Sequence, residues 1–412
     1  LDLGYVLLVM GPAGVVYCMN YPVTVLSVAY FIISTLLLPL MVQAFSCLVA
    51  WVISLISSKM RNKNIITMVV SLLFLAAYFY LYSKMGDIIS GLIANGTAIA
   101  VAFKKYAFPA YYFGVGIAEH NLTYLLLYTV CTLVVFELVY AILSRSFRQI
   151  TTAKKGSARI KYKERSMHVS SPAAALLRKD FRHFIGNPMY VLNAWMGEIL
   201  LVVACVAMLI KKDILTEFLP ILNGEGEIMG LILCVILCGL SCTNLITAPS
   251  ISLEGKNLWI AQSIPVPAAT VLRAKVKLQM LLCIPITALS ALLMGIVLKL
   301  ELLTLVLAVL VPAAFNLFTA LLGVVVNLHF PKFDYINETV VIKQSMSTMI
   351  CMFGSMAVVL VLALLYALLL SASVAPTLFL AVCLVLLVIV CVLMWRYLGH
   401  GGSARFAALQ AD

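Results

Sequence analysis

The chain has 412 residues, of which 64% are hydrophobic and 11% are charged, and its mean hydropathy is +1.11. Soluble domains carry roughly a quarter charged residues, so this composition excludes a soluble protein and predicts an integral membrane protein. The formal net charge is +12, but Lys and Arg of membrane proteins collect in cytoplasmic loops, so this charge does not indicate nucleic-acid binding.

Apolar runs of spanning length recur along the chain, and about ten are predicted to cross the bilayer. In chain order they are 3–19, 23–57, 65–82, 122–143, 189–210, 228–247, 278–298, 302–328, 346–370 and 377–395. The run 23–57 contains Pro39 and fits either one long kinked helix or two successive helices. The predicted fold class is therefore all-α, a polytopic helical membrane protein.

Charge sets the expected topology. From Ser144 to His183 there are eleven Lys or Arg against two Asp or Glu, a net charge of +9, which places this loop in the cytoplasm. Lys59, Arg61 and Lys63 form a second basic turn, also expected in the cytoplasm. Residues 83–121 are expected to form an external segment with re-entrant or interfacial helices. The predicted location is the plasma membrane of a bacterium, with multiple crossings.

The end of the long basic loop predicts an amphipathic helix on the membrane surface, at residues 171–187. Ser170 or Ser171 can cap it, Pro172 suits its first position, and Gly186 and Pro188 lie at its end. The apolar face of this helix consists of Leu176, Leu177, Phe181, Phe184 and Ile185. The opposite, basic face consists of Arg178, Lys179, Arg182 and His183.

Two stretches suggest an internal repeat: PLMVQAFSCLVAWVISL from Pro39 and PAAFNLFTALLGVVVNL from Pro312. In register, Gln43 meets Asn316, and a basic turn follows each stretch. The expected organisation is two six-span units, the first lacking two spans and an entry helix upstream of Leu1. The domains would be 1–143 (last four spans of the first half), 144–170 (basic linker), 171–187 (elbow helix), 188–396 (second half, six spans) and 397–412 (cytoplasmic tail).

Three stretches of the second half carry a family resemblance: LLRKDFRHFIGNPMYVLN from Leu176, ISLEGKNLWIAQSIPVPAATVLRAKV from Ile251 and NLHFPKFDYINETVVIKQS from Asn327. They resemble the permease subunits of type-2 ABC exporters, in particular bacterial fused-half permeases. The resemblance implies an elbow helix, six spans per half, a coupling helix between the second and third spans, and separate ATP-binding cassette ATPase subunits. The ATPase-coupling candidates are then Glu254, Gly255, Lys256, Asn257 and Trp259.

The expected function is the transmembrane permease subunit of an ATP-driven exporter that moves an unidentified substrate by alternating access. The sequence has no G-x-x-x-x-G-K-[ST] loop, so the chain is expected to be no enzyme and to draw on ATP bound by a partner. No cofactor, no metal and no nucleic acid are expected, and the bilayer is the other partner. The alternatives are a secondary transporter driven by an ion gradient and a non-transporting scaffold or sensor subunit. A further reading, a membrane enzyme acting on lipid or polyprenyl substrates, would need clustered polar or His/Asp residues at one membrane face, and the sequence shows no such cluster.

Polar side chains inside the predicted spans are further candidates, because acids and amides at membrane depth are costly. They are Glu198, Asn193, Glu137, Asn316 and Gln43. Glu198 and Glu137 fit either a substrate or proton path or a protonated carboxyl that bonds a neighbouring helix. Small residues recur every fourth position from Gly230 to Cys242, a stripe that favours close helix packing over a soft-metal site.

Overall fold

The computed structural model describes residues 2–20, 24–58, 63–86, 90–91, 101, 104–152, 170–210 and 226–410. Most of the described residues are helical and none of them lies in a strand, and one isolated bridge joins Trp195 to Asn244. This confirms the all-α prediction. The expected basic turn at 59–62, most of the linker 144–170 and the loop 211–225 lie outside the described residues. The chain divides into two compact units, Leu1–Glu164 and Arg165–Asp412.

The first unit is a small helical group. Helix α2 packs against α1, α3, α4 and α5. It is continuous through Pro39, so the run 23–57 forms one long helix rather than two. The named helices are α1 (Asp2–Asn20), α2 (Val25–Ser58), α3 (Lys63–Ser83), α4 (Phe108–Ala118) and α5 (Leu122–Thr152).

The second unit is built around α12, on which α9, α11, α14 and α15 pack. Its named helices are α6 (Pro172–Gly186), α7 (Pro188–Ala194), α8 (Met196–Ile210), α9 (Gly226–Ser241), α10 (Leu258–Ser263), α11 (Ala268–Val297), α12 (Leu302–His329), α13 (Glu338–Gln344), α14 (Met346–Leu365), α15 (Pro376–Gly399) and α16 (Gly401–Ala408). A 3₁₀ turn (Ser252–Asn257) precedes α10 and a π turn (Tyr366–Leu370) follows α14.

Among the described residues, six helices are long and apolar enough to cross a membrane. They are Val25–Val52 within α2, Leu122–Ser146 within α5, Ala268–Val297 (α11), Leu302–His329 (α12), Glu338–Leu370 (α13, α14 and the π turn taken together) and Pro376–Gly399 (α15). The protein is therefore a membrane protein. Three of the other predicted runs contain shorter apolar stretches: Thr67–Ser83 of α3, Met196–Leu209 of α8, and Gly226–Ser241, which is α9. By length and composition the described residues thus support six spanning helices, and the count of about ten stays a prediction.

Helix α6 occupies the stretch where the amphipathic helix is expected. The Ser171 side chain accepts a hydrogen bond from the Ala174 N–H, and Pro172 is the first helical residue. Leu176 and Phe184 are buried, whereas the basic residues Arg178 and Arg182 are exposed. The helix thus lies with its apolar side against the rest of the second unit.

Two predicted spans are interrupted, and the interruptions meet. The run 189–210 breaks at Trp195 between α7 and α8, and the run 228–247 leaves the helix after Ser241. Residues 242–251, here called the irregular segment, follow α9 as mostly buried non-helical chain. The Leu245 N–H donates to the Ala194 carbonyl at 2.8 Å, which joins the two breaks. The predicted runs 189–210 and 228–247 are therefore helical only in part, and polar side chains supply the hydrogen bonds that a helix would otherwise provide.

Glycine permits this close approach. A Cβ atom on Gly197 would lie 2.1 Å from the Leu240 carbonyl oxygen, and one on Gly323 would lie 2.9 Å from the Ala248 nitrogen. Because both obstacles are backbone atoms, neither could move aside cheaply. The two glycines therefore let α8 and α12 lie directly against the end of α9 and the irregular segment.

Candidate functional site

Four elements of the second unit place polar side chains around Glu198, which is 1% exposed. Its Oε1 accepts hydrogen bonds from Asn244 Nδ2 at 2.9 Å and from Thr287 Oγ1 at 2.8 Å. Asn316 Nδ2 donates to Thr287 Oγ1 at 2.9 Å and to Ser241 Oγ at 3.0 Å. We call these five residues the buried polar network. It joins α8, α9, the irregular segment, α11 and α12.

The network contains an acid without a cationic partner. Among the described residues, no Lys, Arg or His forms an ion pair with Glu198, and its Oε2 atom has no hydrogen-bond partner. An isolated buried carboxylate is very costly, whereas a neutral group of the same shape is much less so. The geometry therefore suits an uncharged side chain that accepts two hydrogen bonds through one oxygen.

Glu198→Gln is expected to change the free energy of unfolding by less than about 1 kcal/mol, because the amide oxygen can still accept from Asn244 and Thr287. Glu198→Leu is expected to cost about 2–4 kcal/mol, because it leaves both donors buried without an acceptor. Chemical denaturation of the detergent-solubilised protein measures both values. A loss for the glutamine variant as large as that for the leucine variant would mean that the negative charge itself is needed.

A glutamine from α11 anchors the start of the irregular segment. Gln279 Oε1 accepts from both the backbone N–H and the Oγ1 of Thr247, each at 3.0 Å. Its Nε2 donates to the Asn244 carbonyl at 3.0 Å and to Thr319 Oγ1 at 3.2 Å. One fully buried side chain thereby satisfies backbone groups that have left the helix.

Asn327 of α12 anchors the other end of the segment. Its Oδ1 accepts from the N–H groups of Ile251 and Ser252 at 2.8 and 3.1 Å. Its Nδ2 donates to Ser252 Oγ at 2.7 Å and to Ser347 Oγ at 3.2 Å, and Ser347 in turn donates to the Ala248 carbonyl. Buried backbone groups outside a helix need other hydrogen-bond partners, and Asn327 and Ser347 supply them for this segment.

Four charged side chains form an ion cluster where the segment passes α6. Lys275 is 3% exposed, and its Nζ lies 2.8 Å from Glu254 Oε1 and 3.6 Å from Asp180 Oδ2. Lys179 of α6 lies 2.7 Å from the same Glu254 oxygen. Burial alone would raise the pKa of Glu254, but the charges of Lys275 and Lys179 outweigh it and lower the pKa to about 2. The carboxylate therefore stays ionised at any physiological pH.

Helix α10 follows the cluster and presents a surface patch. Lys256, Asn257, Trp259 and Ile260 are exposed, with Trp259 at 64%. Beneath them Leu258 and Ala261 are buried. We call the four exposed residues the α10 patch. An exposed Trp beside an Ile is the kind of anchor that fits a groove on another protein surface.

The contacts of Gln262 and the backbone conformation of Gly255 fix the position of the α10 patch. Gln262 Nε2 donates to the Phe406 and Leu409 carbonyls at 2.8 and 2.9 Å, which ties α10 to the last helix. On the other side Gly255 adopts a φ of +53°, a left-handed conformation that favours glycine, and a Cβ there would lie 2.9 Å from Tyr335 Oη.

The predicted coupling residues separate into two groups. Glu254 and Gly255 face inward, whereas Lys256, Asn257 and Trp259 are exposed. Charge reversal at Glu254 would therefore disrupt the ion cluster and could not test docking alone. In the elbow helix, Lys179 joins the cluster, Phe184 is buried, Phe181 is half-buried, and Arg178 and Arg182 face outward.

The predicted intramembrane residues do not form one site. Glu198 and Asn316 meet through Thr287. Asn193 donates to the Met189 carbonyl of its own helix at 2.6 Å. Glu137 and Gln43 are exposed side chains of the first unit, so Gln43 differs from its predicted repeat partner Asn316, which is fully buried.

The predicted small-residue stripe lies in a closely packed part of α9. A Cβ on Gly230 would lie 2.1 Å from Thr304 Cγ2 of α12, and Cys234, Cys238 and Cys242 are buried. In the part of the chain that the structure describes, no three His, Cys, Asp or Glu residues are grouped as metal ligands would be.

Sequence reasoning missed most of the groups that hold the site together: Asn244, Gln279, Thr287, Asn327, Lys275 and Asp180. A signal for two of them was present. Lys275 and Gln279 are four residues apart, hence on one face of α11, at the start of a long apolar helix. Paired polar residues on one helix face indicate a buried polar contact when the rest of that face is apolar.

One family profile, described as "Putative ATP-binding cassette", matches residues 90–395, about three quarters of the chain. No curated protein and no solved structure matches. The match corrects two expectations. A permease-only subunit and a chain without any ATP-binding role are both wrong, because the matched family is described as an ATP-binding cassette. Absence of one loop consensus could not exclude such a family, and the match does not itself assign nucleotide-binding residues.

Proposed function

The chain belongs to this ATP-binding cassette family, and on that premise we propose that its second unit is the membrane-embedded, movement-transmitting part of an ATP-binding cassette transport assembly. In this proposal the α10 patch contacts the nucleotide-binding part of the assembly. The irregular segment then carries the resulting movement into the helices that surround the buried polar network. The six long apolar helices and the family support a role in transport across a membrane.

One structural observation supports the proposal above the others: a single stretch, residues 242–263, runs from the buried polar network to the exposed surface. Asn244 lies at its inner end, Glu254 in its middle and Trp259 near its outer end. Each part is bonded to a different helix, so a displacement of α10 cannot be absorbed by a flexible loop. A packed core transmits strain because it has little free volume.

The ion cluster would also transmit a displacement of α10, in this case to α6 and α11. Glu254 is bonded to Lys179 of α6 and to Lys275 of α11, so displacement of the 3₁₀ turn would move the surface helix and a spanning helix together. Hydrogen bonds between ionised groups are shorter and stronger than those between neutral groups. The proposed consequence is a concerted tilt of α6 and α11 when the nucleotide-binding part presses on Trp259.

We also propose that the shorter helices complete further crossings. The α7 and α8 helices would cross together as one broken span, and α9 with the irregular segment as another. The hydrogen bonds that Gln279 and Asn327 accept from the Thr247 and Ile251 N–H groups support this, because they satisfy non-helical backbone that could not otherwise lie in hydrocarbon.

Trp259→Ala tests the proposed contact. In the assembly purified from its native membrane, the variant is expected to reduce ATP hydrolysis at least ten-fold, since a central tryptophan anchor typically contributes 2 kcal/mol or more. Because Trp259 is exposed, the thermal midpoint of the isolated chain should not change. Ile336→Ala, which removes an exposed side chain outside the patch, is the matched control.

Nucleotide binding by the isolated chain decides whether the α10 patch contacts a nucleotide-binding part of this chain or of another subunit. Photolabelling with an azido-ATP analogue shows whether this chain binds nucleotide itself or only within the assembly. Unchanged ATP hydrolysis in the Trp259→Ala assembly, or an equal loss with Ile336→Ala, would contradict the proposed role of the α10 patch.

A further inference from the structure

A groove of about 260 Å³ lies between α12 and α15, away from the site described above. Its walls are apolar and include Leu317 and Leu321 of α12 and Val388 and Val392 of α15. Both helices are among those long and apolar enough to cross a membrane. In a bilayer such a groove meets the acyl chains of lipids rather than water.

One end of the groove is basic and aromatic. Trp395 and Arg396 line it, and Arg396 is an exposed residue in the last turn of α15. The Arg273 guanidinium lies over the Trp395 ring, 5.1 Å from its centroid, and the Arg273 Nε atom is buried without a hydrogen-bond partner among the described residues. No acidic residue is part of the described lining. Two positive charges therefore stand beside one apolar groove.

We propose that this groove binds one anionic phospholipid. The acyl chain would lie along Leu317 and Val392, and the phosphate would contact Arg396, with Arg273 adding positive charge beside Trp395. Tryptophan and arginine at a helix end are the usual residues at headgroup depth, which fits this orientation. Charge complementarity selects an anionic over a zwitterionic headgroup, because the latter carries its own cation. The site is independent of the proposed transport function.

Native mass spectrometry of the purified chain, titrated with phosphatidylglycerol or phosphatidylcholine of the same acyl chains, tests the proposal. The wild type is expected to bind one phosphatidylglycerol at least five-fold more tightly than phosphatidylcholine. Arg396→Gln should weaken phosphatidylglycerol binding about five-fold and leave phosphatidylcholine unchanged. Val392→Trp, at a 48% exposed position, should fill the groove and weaken both lipids.

Two controls make the result specific. Lys343→Gln removes an exposed charge from α13, and Val385→Trp adds a tryptophan at an exposed position of α15 that does not line the groove. Both should bind lipid as the wild type does. Equal binding of the two lipids by the wild type would overturn the proposal, as would a loss with Lys343→Gln equal to that with Arg396→Gln. Since all four positions are exposed, size-exclusion profiles should remain those of the folded protein.

Discussion

Lys275→Met is expected to destabilise the second unit by about 3–5 kcal/mol, the usual cost of removing one partner from a buried charge group. Lys275 supplies the buried cation between Asp180 and Glu254, and its Nζ also donates to the Ser250 carbonyl at 3.0 Å. Methionine keeps the length and apolar stem of the side chain. The loss would therefore come from two carboxylates left with the half-exposed Lys179 as their remaining cation.

Lys277→Met is the matched control, because it makes the same change two residues further along α11 at an exposed position. It should alter the free energy of unfolding by less than about 0.5 kcal/mol. The double variant Glu254→Gln/Lys275→Met balances the remaining charges, Lys179 against Asp180, and should recover part of the loss. Denaturant unfolding in detergent measures all three. Equal stability of the Lys275 and Lys277 variants would show that the cluster contributes nothing to the fold.

The features that the sequence predicted well are those set by local pattern. The amphipathic surface helix has its cap at Ser171, its proline at the first position and its apolar residues at helical spacing, so each signal lies within one short stretch. High hydropathy likewise identifies long apolar helices such as α12 and α15, since each contains enough apolar residues to cross a bilayer by itself.

The irregular segment could not be predicted in the same way. Hydropathy treats Asn244 and Thr247 as minor interruptions of an apolar run, yet their partners Glu198 and Gln279 lie far away in the chain. Lys275 shows the same limit. With Arg273 and Lys277 it looks like a basic flank of a span, and only packing shows that it alone of the three is fully buried. The sequence shows that all three residues are basic, but it does not show which of them lies on the side of α11 that packs against other helices.

The error about function has a different origin. The permease expectation rested on a resemblance carried by three short stretches, and the expectation of no ATP-binding role rested on the absence of one loop consensus. The family match spans residues 90–395 and so includes helices such as α4 that carry none of the motifs described above. Membership in a family is therefore better supported here than any single residue's role in binding ATP.

Asn327→Leu is expected to cost about 3–6 kcal/mol, because leucine has nearly the same size and cannot replace any of the four hydrogen bonds that Asn327 makes. The N–H groups of Ile251 and Ser252 lose their acceptor, and the hydroxyls of Ser252 and Ser347 lose a donor. Each buried polar group left unpaired costs about 1–3 kcal/mol. Asn327 is fully buried, so water cannot readily take the place of its amide.

Asn337→Leu is the appropriate comparison, because Asn337 is exposed and caps α13 by accepting a hydrogen bond from the Thr339 N–H at 3.0 Å. Loss of such a cap costs about 0.5–2 kcal/mol. Amide hydrogen exchange gives the decisive readout: with Asn327→Leu, exchange should accelerate at residues 242–252, and with Asn337→Leu only at the start of α13. If residues 242–252 keep their protection in the Asn327 variant, the irregular segment is held by its apolar packing, and its proposed role as a rigid transmitter would no longer depend on the polar anchors.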